Sequence, residues 1–525
     1  MPRLPGPLLL AAVLPACTGS ALPEATTDAG GLPLPSATAE AGASAACPDA
    51  SPTAADAPIE TQARIYSKRR HVWIQPTPSA RGPWIGFLGL GDAVAIREPK
   101  PVRGDGCAAF YAIEPRGWVC LDARTTLDPA DPEYAAILKL APLKDTAWPL
   151  EYGESRETPR YWTVPSRAQQ RAREWRLDDH LASVARMRAG ELDAEQTPRM
   201  LRGVDTTEAG VGLDDAWARA PVVHEYRTNI RAGSTISWAN AFDAEGRTWL
   251  ITADLALVPK DKVAPFPHVD FQGVALDERA KLPLAYTRFR SRTAYERSAQ
   301  DAFSPASEPW PRLARFGLTG EQAPFGARTL LQTSDRGRWI DRKDATILRP
   351  SSFTPWGEPV EGADGTGPRV VHRPPPPASS RGTWVEVSVH GGWMIAYERT
   401  RPVFATLVSP GRGRTIRGGE DEEVESATPP GVFNIQGKYR TSTMAVTEIV
   451  HFDVTFAMPF SGTIALHSAY WHNRWGEKAS MGCVNLSPID AFWLFRWAEP
   501  ELPAGWHGVS VNDGSGYATM VVVHG

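Results

Sequence analysis

A cysteine and a histidine in the C-terminal part of the chain have the residue types that nucleophilic acyl transfer requires. Cys483 ends a Ser-Met-Gly-Cys sequence, and His467 lies upstream of it, directly after the apolar run 462–466. An imidazole that takes the thiol proton converts a cysteine into a nucleophilic thiolate. The backbone N–H groups of Met481, Gly482 and Cys483 are candidates for an oxyanion hole, because Gly482 permits a tight turn. An isolated Cys and His are more often structural than catalytic, so the surrounding residues decide between the two interpretations.

The elements that must position these residues form a mostly-β domain over residues 383–525. Apolar and polar residues alternate at 384–389 and 393–397 on either side of a Gly-Gly turn, which predicts a hairpin. Residues 412–426 are a polar loop, and only residues 488–497 have a helical pattern. Further strands are predicted at 403–408, 428–435, 444–456 and 462–467.

The segment around Cys483 resembles the signature of the YkuD-type L,D-transpeptidases. In that signature a histidine and a spacer precede Ser/Thr-His-Gly-Cys, an apolar residue, and Asn or Arg. The matching positions are His467, Ser480, Gly482, Cys483, Val484 and Asn485. Upstream, residues 401–409 and the Thr-Pro-Pro-Gly-Val-Phe sequence at 428–433 resemble the entry strands and the Thr-Pro-x-Gly-x-Phe element of the family. The resemblance covers about residues 383–512 and implies a β-sandwich catalytic domain.

The resemblance also implies roles for individual residues. Cys483 would attack the carbonyl that follows meso-diaminopimelate in a peptidoglycan stem tetrapeptide and release D-Ala. The acyl group would then pass to the side-chain amine of a second stem, which forms a 3→3 cross-link. His467 would be the base, oriented by the backbone carbonyl of Ser468. No cofactor is expected, and no Cys, His or Asp cluster has zinc-like spacing.

Several further residues are predicted to line the substrate pocket. Trp471 and His472 would face it, although His472 has the alternative of packing only. Tyr439 and Arg440 would approach the donor stem. The complete set of predicted substrate-binding residues is Trp471, His472, Ser480, Asn485, Tyr439 and Arg440.

Met481 departs from the family pattern, which has His at this position. If the residue contributes mainly its backbone N–H, the oxyanion hole survives, and His467 alone supplies the proton transfer. If the missing imidazole tunes the thiolate, activity falls or changes. The alternatives are therefore an L,D-carboxypeptidase that uses water, an enzyme that tethers a protein amine to the wall, and a non-catalytic peptidoglycan-binding lipoprotein.

Composition and charge exclude some classes of partner. The chain has 525 residues, of which 42% are hydrophobic and 22% charged, and its net charge is −4. The length predicts three or four domains, and the charge gives no basic field for nucleic acid. The 48 Pro and 45 Gly favour short strands and loops.

The N-terminal residues predict export. Residues 1–17 read as a lipoprotein-type signal peptide, in which Cys17 ends a Leu-Pro-Ala-Cys sequence and becomes the lipidated residue. Ordinary signal cleavage nearby is the alternative, because Pro15 is unusual there. Residues 18–60 are rich in Ala, Ser, Thr and Pro, which predicts a flexible tether. The mature protein would then lie in the bacterial cell envelope, in the periplasm, anchored to a membrane by lipid.

Between tether and catalytic domain, small β-modules are predicted. The predicted strand at 117–125 has weak sequence similarity to residues 247–254 and 337–344, and each of the three contains a Trp. The similarity resembles the closing strand of an SH3-like module. The alternative is that each is a generic strand that contains a Trp. The predicted divisions are an SH3-like module at 61–127, a mixed segment with a helix at 128–220, SH3-like modules at 221–349 and a Pro-rich linker at 350–382.

Two cysteines in the first module flank a predicted hairpin. In an exported protein, Cys107 and Cys120 are expected to form a disulfide across it, with two buried thiols as the alternative. Cys47 has no obvious partner. The predicted helix of the mixed segment covers residues 166–188 and carries basic residues, which face either an anionic wall polymer or solvent.

Overall fold

The computed structural model describes residues 62–213, 229–335, 337–413, 427–446, 448–511 and 516–525. The predicted signal peptide with Cys17, the tether at 18–60, Cys47 and most of the predicted polar loop at 412–426 lie outside the described residues. In the described ranges, no helix is long and apolar enough to cross a bilayer.

The prediction of a mainly β chain is confirmed. The strands of residues 62–213 are β1 Arg64–Ser67, β2 Val72–Ile74, β3 Gly86–Leu88, β4 Ala93–Ala95, β5 Val102–Gly104, β6 Cys107–Ala112, β7 Trp118–Cys120, β8 Thr125–Thr126, β9 Glu151–Ser155 and β10 Thr158–Pro159. The strands of residues 229–348 are β11 Asn229–Ile230, β12 Thr235–Ala244, β13 Arg247–Thr252, β14 Leu257–Pro259, β15 Val263–Pro265, β16 Val274–Ala275, β17 Leu284–Tyr286, β18 Ala294–Arg297, β19 Phe303–Pro305, β20 Arg315–Phe325, β21 Arg328–Thr333, β22 Trp339–Asp341 and β23 Thr346–Leu348. The C-terminal strands are β24 Thr383–Ser388, β25 Trp393–Glu398, β26 Arg401–Leu407, β27 Gly431–Asn434, β28 Gly437–Val446, β29 Ile449–Ser461, β30 Ile464–Ser468, β31 Val484–Leu486, β32 Gly508–Ser510 and β33 Met520–His524. The α-helices of the described ranges are α1 Pro132–Leu138, α2 Arg167–Arg173, α3 Leu177–Arg188 and α4 Pro488–Trp497.

The C-terminal domain packs two β layers and helix α4 around one apolar core. One sheet has the order β16-β26-β25-β24-β33-β27, and β28 to β31 form the second layer. The core between them includes Val387, Phe456, Leu466, Val484 and Leu494, each 1% exposed or less. Helix α4 begins where predicted, because the Ser487 hydroxyl accepts a hydrogen bond from the Asp490 N–H and Pro488 occupies the first turn. The core therefore holds β30 and β31, which carry the candidate site.

The predicted β-segment 444–456 contains a reversal of the chain. It belongs to two antiparallel strands, β28 and β29, with Glu448 at the turn between them. Met444 pairs with His451 and Ser442 with Val454. The sequence around the turn has no Gly, Pro, Asn or Asp to mark the reversal.

The N-terminal module, residues 62–126, extends the sheet that contains the β28–β29 hairpin. Strand β3 pairs with β32, so that Phe87 lies opposite Gly508. Trp506 completes the apolar core of this module and donates a hydrogen bond from Nε1 to the Glu114 carbonyl at 3.0 Å. Gly508 is required by this contact, because a Cβ there would lie 2.4 Å from the Phe87 ring. The module and the catalytic domain are thus one packed unit.

The helix predicted at 166–188 is divided in two by Arg176. Ser166 and Gln169 form a capping box at the start of α2, and Arg176 adopts a left-handed conformation with φ 51°. The break turns Glu174 inward, where Arg247 binds its carboxylate. The charged side chains of the outer face pair with one another, including Arg171 with Asp178.

Two further β units lie upstream of the C-terminal domain. Strands β12 to β14 join the large sheet, in the order β14-β13-β12-β29-β28-β32-β3-β2, and β17 to β23 form a separate seven-stranded sheet. Trp249 of β13 and Trp339 of β22, both in the predicted echoes, are 0% and 1% exposed. The SH3-like topology of these units remains a prediction.

The Pro-rich segment 350–382 packs against the C-terminal domain. Trp356 and Val360 are buried in a cluster with Trp384 and Tyr397. The Ser351 N–H donates to the Tyr397 hydroxyl at 3.0 Å. These contacts fix the segment along the sheet that contains β24 and β25.

Candidate functional site

Parallel pairing of β30 and β31 brings the segments of the candidate nucleophile and base side by side in the second layer. His467 of β30 lies opposite Asn485 of β31, and Cys483 directly precedes β31. Cys483 is 2% exposed and His467 0%. The predicted pair is therefore buried on neighbouring, paired segments.

The hydrogen bond of His467 fixes which ring nitrogen can act as a base. Its Nδ1 lies 2.8 Å from the backbone carbonyl of Ser468. A carbonyl oxygen can only accept, so Nδ1 carries the proton in the neutral ring. Nε2 is buried and has no hydrogen-bond partner among the described residues. The neutral tautomer thus presents the Nε2 lone pair for a proton from another group.

The loop before Cys483 is held by hydrogen bonds from a residue that sequence reasoning did not single out. The Thr428 hydroxyl donates to the Gly482 carbonyl at 2.8 Å and accepts from the Gly411 N–H at 2.8 Å. Gly482 has φ +114°, and a Cβ there would lie 3.2 Å from the Ala427 carbonyl oxygen. Thr428 begins the Thr-Pro-Pro-Gly-Val-Phe sequence, so its position in that motif is the signal that could have identified it.

Ser480 organises the loop that carries the candidate oxyanion donors. The Gly482 N–H donates to the Ser480 hydroxyl at 3.3 Å, and that hydroxyl donates in turn to the Cys483 carbonyl. Ser480 is completely buried and therefore shapes the loop from inside.

Replacing Thr428 with Val should remove both bonds of this hydroxyl. We expect a loss of about 1–3 kcal/mol in the free energy of unfolding, because the Gly482 carbonyl and the Gly411 N–H lose their partner in a buried position. Thermal unfolding of the full chain measures it. Thr428→Ser keeps the hydroxyl and is the control. Unchanged stability in Thr428→Val would contradict this account of the loop.

His472 is a neutral, internally bonded histidine beside the site. Its Nδ1 accepts the Arg474 N–H at 3.2 Å, and its Nε2 lies 3.1 Å from the side-chain amide of Asn485. Burial lowers the pKa of His472 to about 3, and the nearby charge of Arg474 acts in the same direction. Because Nδ1 accepts, Nε2 carries the proton, and the oxygen of the Asn485 amide should face it. His472 therefore orients Asn485.

Trp471 closes the site from the side of the β28–β29 hairpin. Its ring stacks on His451 with a centroid distance of 4.4 Å and lies 6.0 Å from the His467 ring. Met444 and Val454 of the hairpin pack against the same tryptophan. Trp471 is half-buried, so one part of the ring remains accessible.

Tyr439 and Arg440 of β28 contact neighbouring segments, and Tyr439 packs against the same cluster of Met444, Val454 and Ala457 as Trp471. Arg440 donates to the backbone carbonyls of Trp506 and Lys144, which ties β28 to neighbouring segments. The Tyr439 ring lies 5.9 Å from Phe87 of the N-terminal module. The prediction that both residues approach the donor stem stays a prediction. The hydrogen bonds of Arg440 show that it links β28 to two other segments of the chain.

The structure describes three cysteines, of which two are joined in a disulfide. Cys107 and Cys120 form a disulfide between β6 and β7, with 6.1 Å between their Cα atoms. Cys483 is the described cysteine outside a disulfide. In the described ranges, no group of three or more His, Cys, Asp or Glu side chains is arranged to hold a metal ion.

Comparisons with known proteins agree with the resemblance of the motif. Residues 382–523 match the family model of the YkuD L,D-transpeptidase catalytic domain. No curated protein sequence matches the chain.

Several similar solved structures are described as L,D-transpeptidases. That of Xylanimonas cellulosilytica is 24% identical, with 29% of this chain and 64% of that chain covered and a TM-score of 0.19. The Enterococcus faecium enzyme is 21% identical, with 27% of this chain and 49% of that chain covered and a TM-score of 0.20. Mycobacterium tuberculosis L,D-transpeptidase 1 is 16% identical, with 27% of this chain and 61% of that chain covered and a TM-score of 0.18. The chain spans about half to two thirds of the length of these structures.

Proposed function

We propose that this chain, whose residues 382–523 are a YkuD L,D-transpeptidase catalytic domain, cross-links peptidoglycan stem peptides through an acyl-enzyme on Cys483. The observation that carries the proposal is the tautomer of His467. Its Nδ1–H is held by the Ser468 carbonyl, so that Nε2 is left as the candidate base, on the strand that pairs with the segment directly after Cys483. A nucleophile, a base and a group that orients the base are the parts that covalent acyl transfer needs.

The first half of the reaction forms a thioester. His467 Nε2 takes the thiol proton, and the Cys483 sulfur attacks the carbonyl between diaminopimelate and the terminal D-Ala. The C–N bond breaks, and the proton passes from His467 to the departing D-Ala amine. The backbone N–H groups of Met481, Gly482 and Cys483 would stabilise the oxyanion.

The second half transfers the acyl group. The side-chain amine of a second stem attacks the thioester and gives a proton to His467, and the C–S bond breaks. The product is a 3→3 cross-link. Water in place of the amine would give a shortened tripeptide, and a protein amine would give a protein attached to the wall.

Imipenem, a carbapenem, tests whether the thiol is reactive. Intact-mass measurement of the full chain after incubation should show a covalent adduct that Cys483→Ala abolishes. A wild-type chain without an adduct would refute the catalytic function and favour a non-catalytic wall-binding protein. With disaccharide tetrapeptides as substrate, mass spectrometry then distinguishes 3→3 dimers from tripeptides and from protein adducts.

We also propose that the chain works in the cell envelope, lipid-anchored through Cys17. The support is its sequence context, an apolar run that ends in Leu-Pro-Ala-Cys before an Ala/Ser/Thr/Pro-rich segment. Growth with radiolabelled palmitate should label the wild-type chain and leave a Cys17→Ser chain unlabelled. Equal labelling of the two chains would refute the anchor.

Met481→His should change the rate of acylation by imipenem by less than about tenfold. The residue at 481 would act through its backbone N–H, which the substitution keeps, and proton transfer falls to His467. Met481→Leu is the matched control, since it has a similar size and no titratable group. A hundredfold gain in Met481→His alone would show that the missing imidazole is a catalytic deficit of this chain.

A further inference from the structure

A cavity of about 230 Å³ lies on the side of the β28–β29 hairpin that faces the upstream modules. The N-terminal module contributes Trp73, Trp84 and Phe87, and the hairpin contributes Tyr439 and Thr443. None of these residues lies in the segment 467–485, which carries the Cys483 site. Its volume lies at the small end for ligand sites, which suits one or two rings of a small molecule or polymer.

Aromatic rings form a continuous wall of the cavity. The Trp73 and Trp84 rings are 5.1 Å apart, and Trp84 lies 6.4 Å from Tyr439. Phe87 is buried beneath them, whereas Trp73, Trp84 and Tyr439 are half-buried. Large rings that keep part of their surface accessible in a concave site offer flat apolar contact to a ligand.

Polar groups on the same wall lack partners inside the protein. The side chains of Trp84, Tyr439, Ser442 and Thr443 line the cavity, and their polar atoms have no hydrogen-bond partner among the described residues. Their indole N–H and hydroxyl groups can bond to a ligand at the edge of a stacked ring. A pyranose ring has apolar C–H faces and hydroxyl groups around its edge. Flat aromatic rings with hydrogen-bonding groups beside them are therefore complementary to it.

The charges at the cavity disfavour an anionic ligand. Asp254 and Asp453 line it, with Arg70 bonded to Asp453. Burial opposes ionisation of Asp254, but the positive charges of Arg160 and Arg70 hold its pKa below the usual range. Two carboxylates beside one lining guanidinium would repel the carboxylates of a stem peptide.

The hairpin connects this cavity with the catalytic face. Thr443 and Asp453 line the cavity, while the neighbouring Met444 and Val454 pack against Trp471 beside His467. A ligand in the cavity would therefore contact residues that adjoin those packed against Trp471.

We propose that this cavity binds one or two uncharged N-acetylated sugar rings of a peptidoglycan glycan strand. The choice of peptidoglycan rests on the proposed function, whereas sugar binding itself requires no turnover. The glycan would be held on one side of the hairpin while its stem peptide reaches Cys483 on the other. The cavity would act as a docking subsite for the polymer.

Chitotetraose, an uncharged N-acetylglucosamine oligomer, is the probe. Titration calorimetry with the full chain should show binding, and Trp84→Ala should weaken it by about tenfold or more, because a stacking face is lost. Thr443→Arg, which places a large side chain in the cavity without removing an aromatic ring, should weaken binding similarly. Trp175→Ala removes a tryptophan that is 89% exposed on a distant helix junction and should bind as the wild type.

The outcomes separate this inference from the proposed function. No binding of chitotetraose by a wild-type chain that forms the imipenem adduct would overturn the sugar site alone. Binding that Trp84→Ala and Thr443→Arg leave intact would also overturn it. A free stem tetrapeptide that binds in place of the sugar, with the same sensitivity to both variants, would assign the cavity to peptide. Sugar binding without an adduct would support the cavity and refute the catalytic proposal.

Discussion

His467→Gln should slow the acylation of Cys483 by imipenem by about 10²–10⁴-fold, the usual contribution of a positioned general base. Glutamine is similar in size and keeps hydrogen-bonding capacity but cannot accept a proton at neutral pH. The Ser468 carbonyl, 2.8 Å from Nδ1, fixes the ring so that Nε2 is the working atom. Stopped-flow fluorescence followed by intact-mass analysis measures the rate and confirms the site of the adduct.

The pH dependence of the remaining rate distinguishes a base from a structural residue. In His467→Gln only thiol that has lost its proton to solvent can react, so the rate should rise with pH as the thiolate fraction grows. His268→Gln is the matched control, because His268 is exposed on the surface and stacks on Trp148. If His467→Gln kept the wild-type rate and pH profile, another group would have to be the base.

Local sequence patterns singled out the candidate reacting residues but could not show which strands pair around them. The motif gave Cys483 and His467, and alternation gave the hairpin β24–β25. The parallel register of β30 and β31, which puts His467 opposite Asn485, depends on the packing of the whole core. Tyr439 lies in β28, where its ring contacts Phe87, a residue far away in the chain that no local pattern identifies.

Long-range pairing explains most of what the sequence did not predict. Strand β3 joins β32, and β12 contacts β29 through Thr235 and His451, so upstream modules complete the sheet that contains the β28–β29 hairpin. The alternation of apolar and polar residues predicts a strand but not its partner, because pairing between distant segments leaves no local sequence pattern. The break at Arg176 has the same origin, since Glu174 leaves the helical path to bind the distant Arg247.

Arg247→Met should lower the free energy of unfolding by about 3–5 kcal/mol, the cost of removing one partner from a buried ion pair. Arg247 is almost completely buried and binds Glu174 at 2.7 Å and Asp261 at 2.6 Å. Burial opposes ionisation of Asp261, yet hydrogen bonds from Arg247 and His180 hold its pKa well below the usual range. Without Arg247, two buried carboxylates would face each other with too little positive charge.

The sign of the pH dependence provides an independent check. In the wild type the depressed pKa of Asp261 gives stability that is present above its unfolded pKa and is lost as pH falls. In Arg247→Met the unpaired carboxylates would have raised pKa values, so protonation on acidification should relieve the defect. The difference in stability between the two chains should therefore shrink from pH 7 to pH 4.

Urea unfolding, followed by hydrogen exchange of the β13 amides, locates the effect in this part of a multidomain chain. Arg171→Met, which removes an exposed partner of Asp178, should leave both measurements unchanged. Adding Glu174→Gln and Asp261→Asn to Arg247→Met should recover stability, because the uncompensated charges are then gone. Since β13 pairs with β12 and β12 contacts β29, loss of the cluster should also loosen the hairpin that bears on Trp471. If hydrogen exchange of the β13 amides were the same in Arg247→Met as in the wild type, the charge cluster would not stabilise this sheet as proposed.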